Sequence, residues 1–296
     1  MNILKFAAID IGSNAIRLII YYVVEDAKGT IFNKNESYRV PLRLGKESFE
    51  NGQISEDTIK NLVYTMTAFD RLMKVHEVIS YRACATSAMR DAKNNLEIVD
   101  EVKEKTGIKI EIISGQEEAD FIYANHLFQS LAIERPFLYT DVGGGSTELT
   151  LYHKSNIILQ KSFNIGTVRI LTKKVKDETW DEMKETLKDL SKKYENIIGI
   201  GSGGNINKLF SISGAKAGKS ISYENLKDIY KEMEPLTIDE RMKKYTIKED
   251  RAEVIVPALT IYNAICKWAA ISEIHVPKIG LADGLIHHLY DMVIHD

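Results

Sequence analysis

The chain alternates between short apolar runs and longer segments in which apolar residues recur every three or four positions. The short runs are rich in Ile, Val and Tyr and predict strands, whereas the longer amphipathic segments predict helices. The predicted strands cover residues 3–24 with a turn at 10–14, and then 31–44, 78–85, 108–113, 137–141, 146–151, 157–165, 197–204 with a terminal turn, and 274–279. The predicted helices begin after a cap at Ser55, cover 96–105, begin at Glu117, cover 178–194, begin at Ile206, and cover 219–245, 252–271 and the C-terminal segment. Within residues 219–245, Thr237 and Glu240 have the spacing of a capping box. Strands and helices that follow one another in this way are typical of the α/β class.

The most distinctive segment reads FLYTDVGGGSTELTL and covers residues 137–151. One predicted strand ends at Asp141, three consecutive glycines form a turn at residues 143–145, and a second strand follows. Because the glycines carry no Cβ, the backbone N–H groups of the turn can approach an anion closely. Asp141 and Glu148, on either side of the turn, offer hard oxygen ligands of the kind that Mg²⁺ prefers. A hairpin that needs glycine only for its backbone conformation is the alternative interpretation.

The N-terminal segment repeats this pattern. There the sequence DIGSN, residues 10–14, forms the turn between two apolar strands. The matching residues are 131 positions apart, close to half the chain, and are Asp10 with Asp141, Gly12 with Gly143, and Leu18 with Leu149. A strand, turn and strand repeated at this distance predict two copies of one domain that face each other.

Two predicted helix starts add candidate functional groups. Thr86 and Ser87 follow a buried strand and are candidate caps of a helix with Arg90 in its first turn. Such a helix start can hold an anion, although an Arg90 that only faces solvent is equally compatible with the pattern. Glu117 and Glu118 open another helix, where both carboxylates gain from the helix dipole. Since neighbouring residues are about 100° apart around a helix, only one of the two is expected to face a cleft as a general base.

A third glycine-rich turn ends the strand at residues 197–204, which read IIGIGSGG. A helix follows it, so its backbone N–H groups are predicted to point towards a bound group. One such turn is weak evidence for a binding site, but a third in the same chain strengthens the prediction.

Composition limits the class of protein. With 296 residues, 44% of them hydrophobic, the chain can bury a sizeable core and is expected to form two domains. The net charge of −3 is spread over mixed charges, so no basic stripe indicates a nucleic-acid polymer as partner. Cys84 and Cys266 are far apart and show neither metal-ligand nor disulfide spacing, which fits a reducing compartment. The first apolar run is short and charged, and residues 252–271 contain a proline, an asparagine and a lysine, so we expect a cytoplasmic protein without a membrane span.

The ordered motifs resemble those of exopolyphosphatases and guanosine pentaphosphate phosphohydrolases, the Ppx/GppA family. They are DIGSN with Arg17, ATSAMR, SGQEEA, DVGGGSTE, GTVR, GSGG and LADG, and they extend over essentially the whole chain. The resemblance implies a fold of the actin, sugar-kinase and Hsp70 type, in which two ribonuclease-H-like domains face a phosphate-binding cleft between them. It implies an N-terminal domain at residues 1–124 plus 281–296 and a C-terminal domain at residues 125–280.

The resemblance also implies roles for individual residues. Glu118, the second acid of SGQEEA, is implied as the general base that activates water. Asp141 and Glu148 are implied as ligands of Mg²⁺ or Mn²⁺, with Asp10 as a third candidate. The implied phosphate-binding residues are Ser13, Asn14, Arg17, Arg90, Gly143, Gly144, Gly145, Ser146, Gly203 and Gly204.

The implied activity is release of terminal orthophosphate from inorganic polyphosphate or from guanosine pentaphosphate, and a homodimer is an expected assembly. Two alternatives stay open: a non-catalytic sensor that binds polyphosphate or guanosine tetra- and pentaphosphate, and a small-molecule kinase of the same fold. Longer family members carry an additional C-terminal part, so we expect a short two-domain form. Asn205, where the family usually has Thr, and Asn207, where a basic residue can stand, depart from the pattern and bear on the choice of substrate.

Overall fold

The computed structural model describes residues 2–26, 29–123, 135–154, 156–216, 220–277 and 280–295. The chain forms two compact units. Unit 1 comprises Met1–Asn125 and Leu281–Asp296, and unit 2 comprises His126–Gly280. Each unit has its own mixed β-sheet with helices packed against it.

The sheet of unit 1 has five strands in the order β3-β2-β1-β4-β5. The first three strands are antiparallel, whereas β4 runs parallel to β1 and β5 runs parallel to β4. Four consecutive residues in the middle of β1, residues 6–9, are fully buried, as expected for a strand that is covered on both faces. The strands are β1 (Asn2–Ile11), β2 (Ile16–Asp26), β3 (Gly29–Val40), β4 (Ser80–Ala85) and β5 (Ile110–Ile112).

Among the residues that the structure describes in unit 1, five helices lie between or after the strands, and the last helix of the chain packs on β1. The second helix begins where the sequence predicts, because the Ser55 side chain accepts a hydrogen bond from the backbone N–H of Thr58. The helices are α1 (Leu44–Asn51), α2 (Glu56–Val75), α3 (Ser87–Asp91), α4 (Asn95–Thr106), α5 (Gly115–Tyr123) and the C-terminal α12 (Leu281–His295).

Helix α1 contradicts the strand that was predicted over residues 31–44. The strand ends at Val40, Arg43 has a left-handed backbone conformation with φ of 55°, and the helix begins at Leu44. The Gly45 N–H donates to the carbonyl of Ser13 over 2.8 Å. The segment therefore leaves the sheet in order to pack beneath the DIGSN turn, a long-range contact that the local apolar pattern does not reveal.

The sheet of unit 2 has six strands in the order β10-β11-β9-β6-β7-β8. Its strands β8-β7-β6-β9-β11 repeat the order and the directions of β3-β2-β1-β4-β5 in unit 1. The cleft that the family resemblance implies between two domains stays a prediction. The strands are β6 (Phe137–Val142), β7 (Thr147–His153), β8 (Asn156–Phe163), β9 (Ile198–Ser202), β10 (Ser220–Ser222) and β11 (Glu273–His275).

The described residues of unit 2 also form six helices, and α11 (Glu249–Trp268) supplies much of the core, including the fully buried Tyr262. The predicted capping box is confirmed: the Thr237 hydroxyl accepts from the Glu240 N–H while the Glu240 carboxylate accepts from the Thr237 N–H. The helical segment predicted over residues 219–245 forms the two helices Tyr223–Met233 and Ile238–Tyr245, but it opens with the strand Ser220–Ser222, which was not predicted. The helices are α6 (Thr167–Leu171), α7 (Asp177–Lys193), α8 (Gly203–Ile212), α9 (Tyr223–Met233), α10 (Ile238–Tyr245) and α11 (Glu249–Trp268). In the part of the chain that the structure describes, none of the helices has the length and apolarity needed to cross a membrane.

Candidate active site

The DIGSN turn joins β1 to β2 and is fixed from two directions. The carbonyls of Ser13 and Asn14 accept hydrogen bonds from the N–H groups of Gly45, over 2.8 Å, and Arg43, over 3.1 Å. The buried hydroxyls of Ser13 and Ser87 share a hydrogen bond of 2.9 Å. Tertiary structure thus joins the DIGSN motif to the ATSAMR motif, 74 residues away.

Helix α3 carries the ATSAMR motif, and its contacts change one of the predictions. Thr86 is the N-cap residue, but its side chain makes no capping hydrogen bond, so the predicted hydroxyl cap is wrong. Ser87 bonds to the DIGSN turn instead. The Arg90 Nη1 donates to the Ile113 carbonyl over 2.6 Å, which ties α3 to the segment just before α5. A guanidinium has five N–H donors, so this bond leaves others for a phosphate, and the phosphate-binding role of Arg90 stays a prediction.

The adjacent acids Glu117 and Glu118 have different environments at the start of α5. Glu117 is exposed and forms a capping box with Ser114: its carboxylate accepts from the Ser114 N–H over 2.8 Å, and its own N–H donates to the Ser114 hydroxyl over 3.1 Å. The bonds from the backbone and the hydroxyl of Ser114 hold the pKa of Glu117 below its usual value. Glu118 is half-buried. The structure therefore gives Glu117 a helix-capping role and leaves Glu118 as the candidate base.

Asp10 lies directly opposite Arg17 on β2 and directly opposite Cys84 on β4. Burial raises the pKa of Asp10, the Arg17 guanidinium opposes that shift, and the Asp283 carboxylate adds to it. Burial raises the pKa of the Cys84 thiol to about 12, so this neighbour of Asp10 stays uncharged at neutral pH. Asp10 thus lies in a polar row of the sheet with one basic neighbour.

The glycine turn of unit 2, residues 143–146, is held by helix α6. Its carbonyl groups accept hydrogen bonds from the start of that helix and from the buried Arg169 side chain. The bonds are Thr167 N–H to Gly143 over 3.0 Å, Val168 N–H to Gly144 over 2.8 Å, Arg169 N–H to Gly144 over 3.1 Å, and Arg169 Nε to Gly145 over 2.8 Å. In a trans peptide the N–H points opposite to the C=O. The N–H groups of residues 144, 145 and 146 therefore point away from α6, as an anion-binding turn requires.

Arg169 is a contributor to this site that the residue predictions missed. Its side chain is 9% exposed, and its only sequence signal is its place in the GTVR motif. The Arg169 Nε donates to the Gly145 carbonyl, so this carbonyl points to the side of the turn opposite the one that would face an anion. Arg169 thus acts on the turn from within unit 2.

Four oxygen-bearing side chains form a row across the sheet of unit 2, which we call the oxygen row. Backbone pairing aligns Ser202 of β9 with Asp141 of β6, Asp141 with Glu148 of β7, and Glu148 with Ser162 of β8. Residues paired in this way point to the same face of a sheet. Glu148 is only 2% exposed, and the Ser162 hydroxyl donates to its Oε1 over 3.0 Å.

The oxygen row suits a hard divalent cation. Within the described residues, no three His, Cys, Asp or Glu side chains come together as a metal-binding cluster. Mg²⁺, however, is usually bound by one or two carboxylates together with water and substrate oxygens. The Ser202 hydroxyl, fully buried beside Asp141, has no hydrogen-bond partner among the described residues and adds a further oxygen to the set. Asp141, Glu148 and Ser202 therefore fit Mg²⁺ or Mn²⁺ in donor type.

Gly203 and Gly204 are the first two residues of helix α8, and so the turn predicted there is a helix N-terminus. Gly203 has φ of +90°, and a Cβ at this position would lie 2.7 Å from Asp141 Oδ1. The Asp141 carboxylate therefore packs against the backbone at the positive end of the helix dipole. Glycine at 203 is required by this close approach as well as by its backbone conformation.

The two asparagines that depart from the family pattern both lie on α8. The Asn205 Oδ1 accepts a hydrogen bond from Arg251 Nη1 over 2.8 Å. The Asn207 Oδ1 is buried and has no hydrogen-bond partner within the described part of the chain. Asn205 thus holds a cationic side chain of α11, a contact that sequence spacing alone does not predict.

The predicted site residues fall into two groups, and the structure assembles each group within one unit. Unit 1 holds the candidate base, the DIGSN turn and its arginines, and unit 2 holds the glycine turn and the oxygen row.

The sequence model of the Ppx/GppA phosphatase family matches residues 23–293 of this chain. The chain belongs to the Ppx/GppA phosphatase family. The family predicted from the ordered motifs is thereby confirmed.

Individual relatives differ in how much of the chain they match. The bifunctional 3-dehydroquinate synthase/phosphatase of Fusobacterium nucleatum is 32% identical over 218 residues, which are 66% of this chain. This chain spans only 32% of that longer protein. A putative exopolyphosphatase of Haemophilus influenzae is 24% identical over 97% of this chain and 92% of its own length.

Solved structures match the fold over nearly the whole chain. The crystal structure of the Aquifex aeolicus Ppx/GppA family member has a TM-score of 0.77, with 26% identity and complete coverage of both chains. An exopolyphosphatase from Cytophaga hutchinsonii has a TM-score of 0.81 over 97% of this chain and 98% of its own, and at 23% identity it shows the fold alone. The predicted α/β fold class is therefore confirmed.

Proposed function

We propose that this protein is a phosphohydrolase that releases terminal orthophosphate from inorganic polyphosphate or from guanosine pentaphosphate. The observation that carries the proposal is the oxygen row beside a glycine turn whose carbonyls are held back by α6 and Arg169. Membership of a phosphatase family supports the reaction type, and relatives named exopolyphosphatase support the class of substrate.

Phosphate binding is the first task, and backbone groups supply much of it. The N–H groups of residues 144–146 would donate to phosphate oxygens. The carbonyls of the same peptide groups, those of residues 143–145, already accept hydrogen bonds on the opposite side. In unit 1 the DIGSN turn with Arg17 and Arg90 offers further donors. A guanidinium suits phosphate because its planar fork can donate to two oxygens at once.

Water activation is assigned to Glu118. Its carboxylate, half-buried in the first turn of α5, would accept a proton from the attacking water, as a general base does. Glu117 is unsuited to this task because its carboxylate is bonded to the Ser114 N–H. Phosphoryl transfer to water demands little covalent chemistry from the protein, so positioning and charge neutralisation account for most of the catalysis.

Asp141 and Glu148 would hold the metal ion. When bound there, Mg²⁺ or Mn²⁺ would neutralise the negative charge on the substrate oxygens. The role of the protein is then to keep both carboxylates in place. Backbone pairing aligns them across β6 and β7, the Ser162 hydroxyl orients Glu148, and Gly203 allows Asp141 to rest against α8.

The proposal is tested by incubating the protein with Mg²⁺ and one of three substrates: long-chain polyphosphate, guanosine pentaphosphate, or ATP with a set of sugars. Orthophosphate release is measured, together with the products. We expect orthophosphate from at least one of the first two substrates. Phosphate transfer to a sugar would indicate the kinase alternative. Binding of polyphosphate or guanosine pentaphosphate without turnover would indicate the sensor alternative, and either result would refute the hydrolase.

A further inference from the structure

Arg82 of β4 joins the sheet of unit 1 to helix α5, which carries the candidate base. Its guanidinium binds the carboxylate of Glu111: Nη2 donates to Oε2 over 2.7 Å, and Nε donates to the same oxygen over 3.1 Å. The Arg82 Cζ also lies over the ring of Phe121 on α5, 4.5 Å from the ring centroid. A guanidinium donates its hydrogen bonds within its plane, so its flat face stays available for an aromatic ring. Arg82 thus binds β5 and α5 at the same time.

A second residue of α5 is attracted by the same guanidinium. The bonds from Ser114 are the main cause of the lowered pKa of Glu117, and the positive charge of Arg82 lowers that pKa further. Glu117 and Phe121 are four residues apart, so they lie on the same face of the helix. The Arg82 side chain is only 19% exposed, and the attraction between a cation and a ring is stronger away from bulk water. Arg82 therefore holds one particular face of α5.

Helix α5 depends on such contacts for its orientation. It has 9 residues, and helices shorter than about 12–15 residues are marginally stable on their own. Phe121 also meets the ring of His288 on α12, with the centroids 5.4 Å apart and the rings nearly perpendicular. Phe121 thus contacts both the sheet and the last helix of unit 1, which makes it the main side chain that fixes α5.

The direction of the Glu118 carboxylate depends on the rotation of α5 about its own axis. Around the helix, Glu118 lies about 100° from Glu117 and about 60° from Phe121. A side chain at the helix surface is about 5–6 Å from the axis, so a rotation of about 20° would move the carboxylate by about 2 Å. A displacement of about 1 Å is enough to lower a reaction rate about 10²-fold. The face by which α5 is held therefore decides whether Glu118 can reach its water.

We infer that Arg82 is a positioning residue for the reaction: through Phe121 and Glu117 it fixes the rotation of α5, and thereby the direction of the Glu118 carboxylate. Arg82 acts through the helix and is assigned no contact with phosphate. The inference rests on the proposed function and deepens it, because it adds a residue of the sheet to the step in which water is activated.

The test compares Arg82→Gln with Lys5→Gln in the full-length protein. Lys5 of β1 is a matched control: it forms an ion pair of 2.7 Å with Glu77, it lies over the ring of Tyr22, and its side chain is 24% exposed. Both of its partners lie outside α5. We expect Arg82→Gln to lower kcat for orthophosphate release from polyphosphate about 10–100-fold with little change in KM. Lys5→Gln should keep both values, and the two variants should have a similar Tm.

Two further variants separate positioning from a general loss of structure. Arg82→Lys keeps a positive charge for Glu111 and for the Phe121 ring, so it should recover most of kcat. In protein that already carries Glu118→Gln, Arg82→Gln should change the residual turnover less than about twofold, because residues that act as a unit are not additive. A general disturbance of unit 1 would lower turnover by the same factor whether or not the Glu118 carboxylate is present.

Unchanged kcat in Arg82→Gln would overturn the inference, and so would the same loss with and without the Glu118 carboxylate. If Arg82→Gln fails to fold, Phe121→Leu carries the test, because it removes the ring but keeps an apolar side chain. A loss of kcat that disappears in the Glu118→Gln protein would then support the inference, and unchanged kcat would overturn it.

The proposed function is judged separately, in the protein without substitutions. If that protein releases orthophosphate from polyphosphate but Arg82→Gln behaves as Lys5→Gln does, only the inference fails. If that protein releases no phosphate, the proposed function fails.

Discussion

Replacing Gly203 by alanine tests whether the position of Asp141 decides activity. Gly203 opens helix α8 with φ of +90°, and a Cβ there would lie 2.7 Å from Asp141 Oδ1. This distance is far below the 3.4–4 Å of ordinary van der Waals contact. The alanine methyl group must therefore displace either the carboxylate or the first turn of α8.

Gly214 provides a matched control just beyond the other end of the same helix. It also has a positive φ, +71°, but a Cβ added to it meets no atom within 4 Å. Both alanine variants therefore carry the backbone penalty of a left-handed residue, about 1–2 kcal/mol. Only Gly203→Ala also crowds the Asp141 carboxylate, so the difference between the variants isolates that contact.

We expect Gly214→Ala to lower the free energy of unfolding by about 1 kcal/mol with little change in kcat. Gly203→Ala should lose at least as much stability and, in addition, about 10–100-fold in kcat, because small misplacements of catalytic groups have effects of this size. It should also need more Mg²⁺ for half-maximal activity, since Asp141 is a proposed ligand. The measurements are denaturant unfolding and orthophosphate release at several Mg²⁺ concentrations.

The reasoning is refuted if both folded variants keep the kcat and the Mg²⁺ dependence of the original protein. That result would show that the close approach of Asp141 to the start of α8 does not decide activity or metal dependence. If Gly203→Ala lowers the free energy of unfolding but leaves kcat and the Mg²⁺ dependence unchanged, the contact between Gly203 and Asp141 matters for packing alone.

Three further predictions follow from the site. Glu118→Gln should lower kcat by about 10²–10⁴-fold, the usual loss on removal of a general base. Glu117→Gln should stay near normal, because Gln also serves in a capping box. Equal losses of kcat in steady-state assays of both variants would place water activation elsewhere. Arg90→Lys should raise KM, because an ammonium cannot bind phosphate in the bidentate way that a guanidinium can. Its Tm should stay close to that of the original protein, since the ammonium can still donate to the Ile113 carbonyl. An unchanged KM would leave Arg90 with a purely structural role. Asp141→Asn should abolish metal-dependent turnover without unfolding the protein, as measured by activity and circular dichroism. Full activity of the original protein in excess chelator would contradict the metal site.

Local features of the site could be predicted from the sequence. The strand–turn–strand pattern around Asp10 and its repeat around Asp141 correspond to β1–β2 and β6–β7. The caps at Ser55 and Thr237 form as predicted. These features follow from backbone dihedrals, apolar periodicity and short-range hydrogen bonds, which are properties of a few consecutive residues.

The contacts that assemble the site required the tertiary structure. Ser13 meets Ser87, and Arg169 holds the Gly145 carbonyl, because helices return to turns that are distant along the chain. The segment that begins at Leu44 became a helix, since it packs beneath the DIGSN turn instead of extending β3.

Strand register is the clearest case of what only the tertiary structure decided. The sequence places acids or arginines on individual strands, but a one-residue shift in pairing would send a side chain to the opposite face. Register aligns Arg39 with Arg17 and Ser202 with Asp141. It is set by the packing of the whole sheet, and the same register decides that unit 1 places two arginines side by side next to Asp10, while unit 2 places Glu148 and Ser162 next to Asp141.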